Sequence, residues 1–144
     1  MVQAILDNSG TLSKRLQKGM DNASDFYKLD KTNLMEWDQF ARMYNMVEFA
    51  RIPKDEIRSS GYVVDSLEAS VWSLITTESF EEGLLRAVNL GYDTDTVGAI
   101  AGGLAGLYYG YNNIPGEWRK NIIKRDEIVE MCEMVGEIYK LIIW

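Results

Sequence analysis

Helical spacing of apolar residues is the feature that most restricts what this chain can fold into. Apolar side chains recur every three or four residues in segment after segment. No alternation of apolar and polar residues runs long enough to predict a β-sheet. Only two prolines, Pro53 and Pro115, interrupt the pattern. The chain is therefore predicted to be all-α, a compact bundle of several helices.

Three of the helical stripes predict which residues are buried. The stripes are Leu12, Leu16, Met20 and Ala23, continued by Phe26 or Tyr27; Leu34, Trp37, Ala41, Tyr44 and Val47; and Ile128, Met131, Val135, Ile138 and Ile142. The second stripe predicts one helix that ends before Pro53, because a residue preceding proline disfavours the helical conformation. Cys132 shares the spacing of the third stripe and is predicted to be buried.

Polar residues ahead of the apolar stripes predict where helices begin. Thr11 is the predicted cap of the first long helix, and Asp65 or Ser66 that of a later one. Ser79 with Glu82 forms a capping box, in which the serine accepts from the backbone and the glutamate reaches back. Another helix is predicted from near Asp95 to about Gly110.

The length of 144 residues fits one domain. A chain of this size buries roughly two-thirds of its unfolded surface, which is enough for a stable core. We predict a single all-α domain over residues 1–144. It comprises an N-terminal helical arm (1–34), a core (35–122) and a C-terminal helix (123–144). The apolar end of that helix, residues 139–144, is predicted to be a core or dimer contact.

Composition excludes several kinds of chemistry. The chain has no histidine and one cysteine, so it cannot supply a Ser-His-Asp triad, a histidine metal ligand or an internal disulfide. Its net charge of −7 argues against nucleic acid as a partner and suits divalent cations. Residues 1–7 lack the pattern of a signal peptide, and a single cysteine fits a reducing compartment, so the expected location is cytoplasmic.

The longest uncharged stretch, residues 96–116, does not predict a membrane span. It is rich in glycine and carries tyrosines and asparagines. Glycines at positions 98, 102, 106 and 110 have the four-residue spacing of close helix contacts. Because the segment opens on acidic residues, we interpret it as a buried helix packed closely in a core, with no membrane contact.

Two carboxylates one residue apart stand at the start of this helix. Asp93, Asp95 and the Thr96 hydroxyl are hard oxygen donors of the kind that bind Mg²⁺, Mn²⁺ or Ca²⁺. The same residue types are also favoured simply as helix caps. An EF-hand is excluded, because Val97 and Leu104 occupy ligand positions of such a loop. Spacing alone leaves the cap and the metal site as alternatives.

Five blocks in a fixed order resemble a known family. The blocks are SGYVVDSLEASVW at 60–72, SFEE at 79–82, AVNLG at 87–91 with DTDT at 93–96, GGLAG at 102–106 and IPGEW at 114–118. Together they resemble the C-terminal half of the ADP-ribosylglycohydrolase family, which includes the hydrolase acting on ADP-ribosylated dinitrogen reductase. The resemblance implies an all-α fold, here half of the family fold, and covers residues from about 35 to 122.

The resemblance also implies roles for individual residues. Family members bind two divalent metals, usually Mg²⁺, and cleave the glycosidic bond of ADP-ribose. Asp93, Asp95 and Thr96 match metal ligands, and the two aspartates would be the catalytic groups. Positions matching the ADP-ribose cleft and metal loop are Ser60, Gly61, Tyr62, Asn89 and Gly91. Tyr92 departs from the family pattern and would crowd the metal site, stack on a ligand or remain an exposed loop residue.

The N-terminal motifs of the family are missing from this sequence. We find no Gly-Asp-x-x-Gly segment and no Thr-Asp-Asp metal motif, so half of the expected metal site is absent. The resemblance then implies a module that binds an ADP-ribose-type nucleotide without efficient catalysis. Alternatives are a Mg²⁺-dependent hydrolase completed by oligomerisation or a partner chain, and a structural or assembly remnant. Half of a fold would expose apolar surface, so a homo-oligomer is expected.

Overall fold

A computed structural model describes residues 1–7 and 9–142 and confirms the all-α prediction, since no β-strand occurs within those ranges. The helices are α1 (Val2–Leu6), α2 (Leu12–Tyr27), α3 (Lys31–Trp37), α4 (Met46–Phe49), α5 (Val63–Ile75), α6 (Phe80–Val88), α7 (Thr94–Tyr109), α8 (Gly116–Asn121) and α9 (Arg125–Ile142). Short 3₁₀ segments lie at Asp38–Met43, Lys54–Glu56 and Tyr111–Asn113. Packing divides the chain into two units, Met1–Asn113 and Ile114–Trp144.

The core of the first unit is built from α5, α6 and α7, which pack on one another. The face that α7 buries consists of Val97, Ala101, Leu104 and Ala105, which recur at helical spacing. α1 also packs on α7. The prediction that the small-residue helix is central to the fold is therefore confirmed.

A buried hydroxyl joins α5 to α7. The Ser70 side chain is fully buried and donates to the backbone oxygens of Ser66, at 2.7 Å, and Val97, at 3.0 Å. One hydroxyl proton shared between two carbonyls satisfies a polar group that would otherwise be costly in this core. The small size of serine also lets the two helices approach closely.

The start of the apolar stripe predicted for α2 is confirmed, and the structure decides which of the two alternative residues continues it. Thr11 caps the helix by accepting from the Lys14 backbone N–H, and Leu12, Leu16 and Met20 are buried. Phe26 is exposed, so it is Tyr27 that continues the stripe. Its ring stacks on that of Trp37, with ring centroids 5.3 Å apart.

The prediction of one helix across the second stripe is wrong. The segment forms α3, a 3₁₀ segment and α4, and it buries Met43, Met46 and Phe49. Of the predicted stripe only Trp37 is buried, and the exposed members are Leu34, Ala41, Tyr44 and Val47.

A new helix start at Asn45 explains this difference. Its side-chain oxygen accepts from the backbone N–H groups of Val47 and Glu48 and so begins α4. Gln17, far away in sequence, binds the Met46 N–H at 2.8 Å and holds the break in place. The interruption thus rests partly on a tertiary contact that helical periodicity does not contain.

The predicted cap of α6 is confirmed, whereas that of α5 is not. α5 begins at Val63, before either predicted cap residue, and Asp65 instead accepts from the Ser60 hydroxyl at 2.6 Å. The Ser79 cap of α6 is confirmed, because its hydroxyl oxygen accepts from the Glu82 N–H at 3.1 Å. Glu82 reaches back to the N–H of Glu78, one residue earlier than a capping box requires.

Close packing accounts for part of the glycine spacing in α7. A Cβ added at Gly98 would lie 3.1 Å from Val88, and one at Gly102 would lie 3.7 Å from Leu84, both on α6. A Cβ at Gly103 or Gly106 would meet nothing within 4 Å. Within the described ranges, no helix is both long and apolar enough to cross a membrane.

In the second unit α8 packs on the start of α9. The prediction that α9 buries its apolar face is wrong, because Ile128, Met131, Val135 and Ile138 are exposed. Cys132 is exposed as well. Within the described part of this unit no neighbour covers the stripe, and helical periodicity alone does not show whether a neighbour exists. The predicted core or dimer contact of residues 139–144, and the predicted burial of Ile142, concern side chains outside those that the structure describes.

Glycine at position 83 is required by packing, whereas glycine at 103 is not. A Cβ at Gly83 would lie 2.7 Å from Leu74, which is fully buried. We expect Gly83→Ala to lower the free energy of unfolding by about 1 kcal/mol, because overpacking outweighs the gain in helix propensity. The matched control Gly103→Ala should raise it by about 0.5–1 kcal/mol. Urea unfolding followed by circular dichroism measures both, and equal changes would contradict the packing argument.

Candidate functional site

The turn between α6 and α7 has an unusual backbone conformation. Gly91 adopts a φ of 88°, which costs glycine nothing. Tyr92 follows at a φ of 58°, where a side chain is rarely found, and its side chain is 93% exposed. The turn therefore holds a strained tyrosine in solvent immediately before Asp93, and nothing in the structure crowds that tyrosine against the aspartates.

Ser59 clamps this turn from the segment that precedes α5. Its backbone oxygen accepts from the Asp93 N–H at 3.1 Å, and its hydroxyl donates to the Gly91 oxygen at 3.1 Å. The residue is 2% exposed. Sequence reasoning missed Ser59, because no motif or spacing distinguishes it from its neighbour Ser60. Two hydrogen bonds from one buried residue fix where Asp93 stands.

The aspartates at the start of α7 have different roles. Asp93 occupies the N-cap position, yet its side chain caps no backbone N–H. The pKa of Asp95 lies below its ordinary value, chiefly through interaction with the neighbouring Asp93 side chain, and the backbone N–H groups of Thr96 and Asp95 add to this effect. Asp95 lies in the first turn of α7, where a carboxylate complements the helix dipole, whereas Asp93 caps no backbone N–H.

Gly61 lies directly beside this carboxylate. A Cβ added there would come within 3.0 Å of the Asp93 Oδ2. The Ser60, Gly61 and Tyr62 segment, predicted to line a ligand cleft, is therefore placed against the turn that carries the aspartates. We call Ser59–Tyr62 together with Asp93–Thr96 the carboxylate corner. It forms the end of the first unit at which both α5 and α7 begin.

An open groove adjoins the corner and shares Tyr62 with it. Its volume is about 700 Å³. The lining residues are Gln39, Arg42, Asp55, Glu56, Arg58, Tyr62, Val64, Asp65 and Glu68. The Tyr62 hydroxyl donates to the side-chain oxygen of Gln39 across the groove. A polar groove beside the carboxylate corner offers room for a ligand larger than an ion.

An ion pair between a buried glutamate and an exposed arginine lines the groove. The Glu68 carboxylate is 3% exposed and lies 3.0 Å from the Arg42 guanidinium, which also donates to the Glu56 backbone oxygen at 3.1 Å. Burial raises the pKa of Glu68 above its ordinary value, and nearby Asp65 adds to this, although Arg42 and Arg58 oppose it. Sequence reasoning missed this pair because its partners come from separate segments.

Two other predicted residues serve the local structure. The Asn89 side-chain amide donates to the Leu85 oxygen at 2.7 Å, so it helps to end α6. The Asn89 backbone oxygen accepts from the Lys54 ammonium at 3.3 Å. Gly91 provides the left-handed turn that Ser59 binds. Both residues shape the loop in front of Asp93, and neither brings a further carboxylate to it.

The donor set of the corner fits one hard cation that keeps several waters. Asp93, Asp95 and Thr96 offer two carboxylates and a hydroxyl, and the last two are exposed. Within the described part of the chain, no three Asp, Glu, Cys or His side chains are grouped closely enough to hold a metal. Mg²⁺ tolerates retained waters and binds proteins through one or two carboxylates, so these donors suit it better than they suit a fully enclosed ion.

The sequence matches the ADP-ribosylglycohydrolase family over residues 1–142. This range is wider than the region from about 35 to 122 on which the resemblance was recognised. Since the match spans nearly the whole chain, both structural units fall inside it.

Individual relatives agree with the family match. The ADP-ribosylarginine hydrolase Tri1 of Serratia proteamaculans (strain 568) is 38% identical over 79% of this chain and 31% of its own length. The ADP-ribosyl-[dinitrogen reductase] glycohydrolase of Rhodospirillum rubrum is 43% identical over 42% of this chain and 21% of its own. The human ADP-ribosylhydrolase ARH3 is 29% identical over 43% of this chain and 17% of its own length. The chain thus spans less than a third of the length of these relatives.

The raised pKa of Glu68 gives a pH dependence that one substitution isolates. A buried glutamate with a raised pKa stabilises the fold below its ordinary pKa, near 4.5, and loses that contribution as pH rises through the folded value. Glu68→Gln cannot titrate. We therefore expect the free energy of unfolding of the variant, minus that of the parent, to increase from pH 4 to pH 7. Urea unfolding at several pH values measures it, and a constant difference would contradict the raised pKa.

Proposed function

The chain belongs to the ADP-ribosylglycohydrolase family, and on that basis we propose that it binds an ADP-ribose-type nucleotide at the carboxylate corner, with little turnover of its own. The names of its relatives describe hydrolases of ADP-ribosylated targets, so the nucleotide moiety is the part of their substrates that a shared site would recognise. A fold by itself does not specify function, so the function depends on the side chains of the carboxylate corner.

The Asp93 carboxylate, which caps no backbone N–H, carries this proposal. An aspartate at an N-cap position normally accepts a backbone N–H, but this one does not. Ser59 holds its backbone, and Gly61 leaves space beside its oxygen. A helix start that needed only a cap would not require a buried clamp and a close glycine around a side chain that caps nothing. The arrangement suits a carboxylate that faces a ligand.

A divalent cation would connect the corner to a nucleotide diphosphate. Asp93, Asp95 and Thr96 would hold Mg²⁺ while it keeps part of its water shell. When bound, the metal would supply the positive charge that a diphosphate needs. The positive end of the dipole of α7, a helix of 16 residues, adds further attraction for an anion.

Aromatic residues around the corner suit the rest of the nucleotide. Tyr62 and Tyr92 are both exposed, at the start of α5 and in the turn before α7. Exposed aromatic rings of this kind stack on nucleobases. The adjoining groove carries polar groups that ribose hydroxyls could bind. We propose that the nucleotide extends from the cation into this groove.

Two carboxylates argue for binding with little turnover. Hydrolysis of a glycosidic bond with metal assistance needs a nucleophilic water that is positioned and developing charge that is stabilised. Catalytic groups of one site act as a unit, so a site holding part of its ligands loses orders of magnitude in rate. The carboxylate corner offers enough ligands to hold one hydrated cation, but not two. We therefore place binding, with sequestration or sensing of the nucleotide, ahead of catalysis.

A complete hydrolase formed with a second polypeptide is the alternative. The chain corresponds to less than a third of the relatives' length, and in this alternative another chain or copy supplies further metal ligands. Such a partner would bring further carboxylates to the exposed side of Asp95. The groups described for this chain would then keep the same role, and the reaction would depend on the partner's presence.

Titration with ADP-ribose tests the proposal. We expect isothermal titration calorimetry to show binding that is strengthened by Mg²⁺ and weakened at least about tenfold by Asp95→Ala, because part of the cation's charge-assisted contact is lost. Glu81→Ala removes an equally exposed acid from the first turn of α6 and should leave binding unchanged.

Chromatography of the recovered nucleotide separates the alternatives. Intact ADP-ribose, or a cyclic isomer returned intact, supports the binding module. Ribose products released from an ADP-ribosylated substrate by this chain alone would establish a hydrolase instead. No heat of binding with or without Mg²⁺ would refute both the binding module and a hydrolase formed by this chain alone.

A methyl group at position 61 should impair cation binding without unfolding the chain. The new Cβ of Gly61→Ala would crowd Asp93 Oδ2 at 3.0 Å and push that carboxylate aside. We expect weaker binding of Mn²⁺, measured by electron paramagnetic resonance, with an unchanged circular dichroism spectrum. Gly103→Ala adds the same methyl in open space and serves as the control. Unchanged Mn²⁺ affinity in Gly61→Ala would place the cation away from Asp93.

A further inference from the structure

The 3₁₀ segment at Asp38–Met43 forms one wall of the groove beside the carboxylate corner. Gln39 and Arg42 both belong to this segment, and both line the groove. Side chains three residues apart in a 3₁₀ helix project in the same direction, so these two lie on one face of the segment. That face presents two polar side chains to the opposite wall, which consists of α5 and the residue that precedes it.

Arg42 attaches the segment to α5. Its guanidinium lies 3.0 Å from the Glu68 carboxylate and also donates to the Glu56 backbone oxygen at 3.1 Å. Because Glu68 is buried within α5, this contact fixes the 3₁₀ segment against that helix. The wall is therefore held in place by Arg42, whatever contact Gln39 makes.

Hydrogen bonds fix the direction in which the Gln39 amide points. Its Nε2 donates to the Glu36 carboxylate at 2.8 Å, and its Oε1 accepts from the Tyr62 hydroxyl. An ionised carboxylate can only accept, so Glu36 must face the NH₂ group of the amide, and the amide oxygen is left for the hydroxyl. Gln39 is thus oriented from its own side of the groove to hold Tyr62.

Tyr62 depends on this contact for its side-chain position. The residue is the N-cap of α5 and is 51% exposed. Among the described residues, Gln39 is the one hydrogen-bond partner of its hydroxyl. An exposed tyrosine without such a partner samples several rotamers, and ordering it costs conformational entropy. Because the contact is made at the tip of the ring, the faces of the ring stay available for stacking.

We propose that Gln39 is a positioning residue for nucleotide binding, which acts by holding the Tyr62 ring ready for a base. This role rests on the proposed function, in which Tyr62 stacks on the nucleobase. A ligand that meets a ring already ordered does not lose the free energy of ordering it. Gln39 therefore raises the affinity without touching the ligand itself.

Isothermal titration calorimetry with ADP-ribose and Mg²⁺ tests this role. Gln39→Ala should weaken binding by roughly two- to tenfold, which is the cost of ordering one side chain. Tyr62→Phe keeps the ring and removes the hydroxyl, so it should weaken binding by the same factor. Adding Gln39→Ala to Tyr62→Phe should then have no further effect. Gln3→Ala removes an exposed glutamine from α1 and is the matched control.

Mn²⁺ binding separates positioning from a structural role. Gln39 is not part of the carboxylate corner, so Gln39→Ala should leave the Mn²⁺ affinity, measured by electron paramagnetic resonance, unchanged. A structural role would instead lower the affinities for Mn²⁺ and for ADP-ribose together, and that result would refute the proposal.

Fluorine NMR of the chain labelled with 3-fluorotyrosine tests the contact without any nucleotide. The resonance lost in Tyr62→Phe identifies Tyr62. In Gln39→Ala this resonance should move towards that of a solvent-exposed tyrosine, and in Gln3→Ala it should stay in place. An unchanged resonance in Gln39→Ala would refute the proposal, because Gln39 would then not hold the ring.

The remaining outcomes distinguish this role from the proposed function. A parent that binds ADP-ribose and a Gln39→Ala variant that binds it equally well would refute the positioning role and leave the binding module intact. A double variant weaker than Tyr62→Phe would also refute it, since Gln39 would then act on the ligand directly. A parent that does not bind ADP-ribose would refute the proposed function and this role with it, even where fluorine NMR shows the contact.

Discussion

The contact between α5 and α7 is the constraint on which the rest of the first unit depends. Ser70 ties the two helices together within the core, and Ser59 ties the segments that lead into them. Both contacts require small side chains at the interface. Because they fix the two helix starts at the same end, residues distant in sequence meet there, and the carboxylate corner is a direct consequence of how these helices pack.

Local sequence predicts those parts of the fold whose causes are local. Thr11 and Ser79 cap their helices through backbone groups within three residues, and the sequence contains everything needed to recognise them. The break before α4 depends partly on Gln17 from another helix, so no periodicity predicts it. The exposed face of α9 fails for a related reason. A stripe of apolar residues predicts which face of a helix would pack against another element, but it does not identify that element.

The candidate site likewise contains residues that a local motif predicts and residues that only the fold brings together. Asp93, Asp95 and Thr96 form a short motif, and the segment around Gly61 was recognised from family resemblance, so both are visible in the sequence. The hydrogen bonds of Ser59 and the pairing of Glu68 with Arg42 join separate segments. A sequence shows such pairs only after the fold has brought them together. The motif therefore predicts which chemistry is present, whereas the structure explains what holds the groups in position.

Electrostatics would link the proposed cation and the proposed nucleotide at this site. The groove contains two arginines, but four carboxylates line it as well, and Arg42 is already engaged by Glu68 and by the Glu56 backbone. The whole chain carries a charge of −7. A diphosphate entering this field gains little from side-chain cations and must rely on the start of α7 and on a bound metal. Since each ligand then improves the affinity of the other by the same factor, the cation and the nucleotide should bind as a coupled pair, and neither should bind tightly alone.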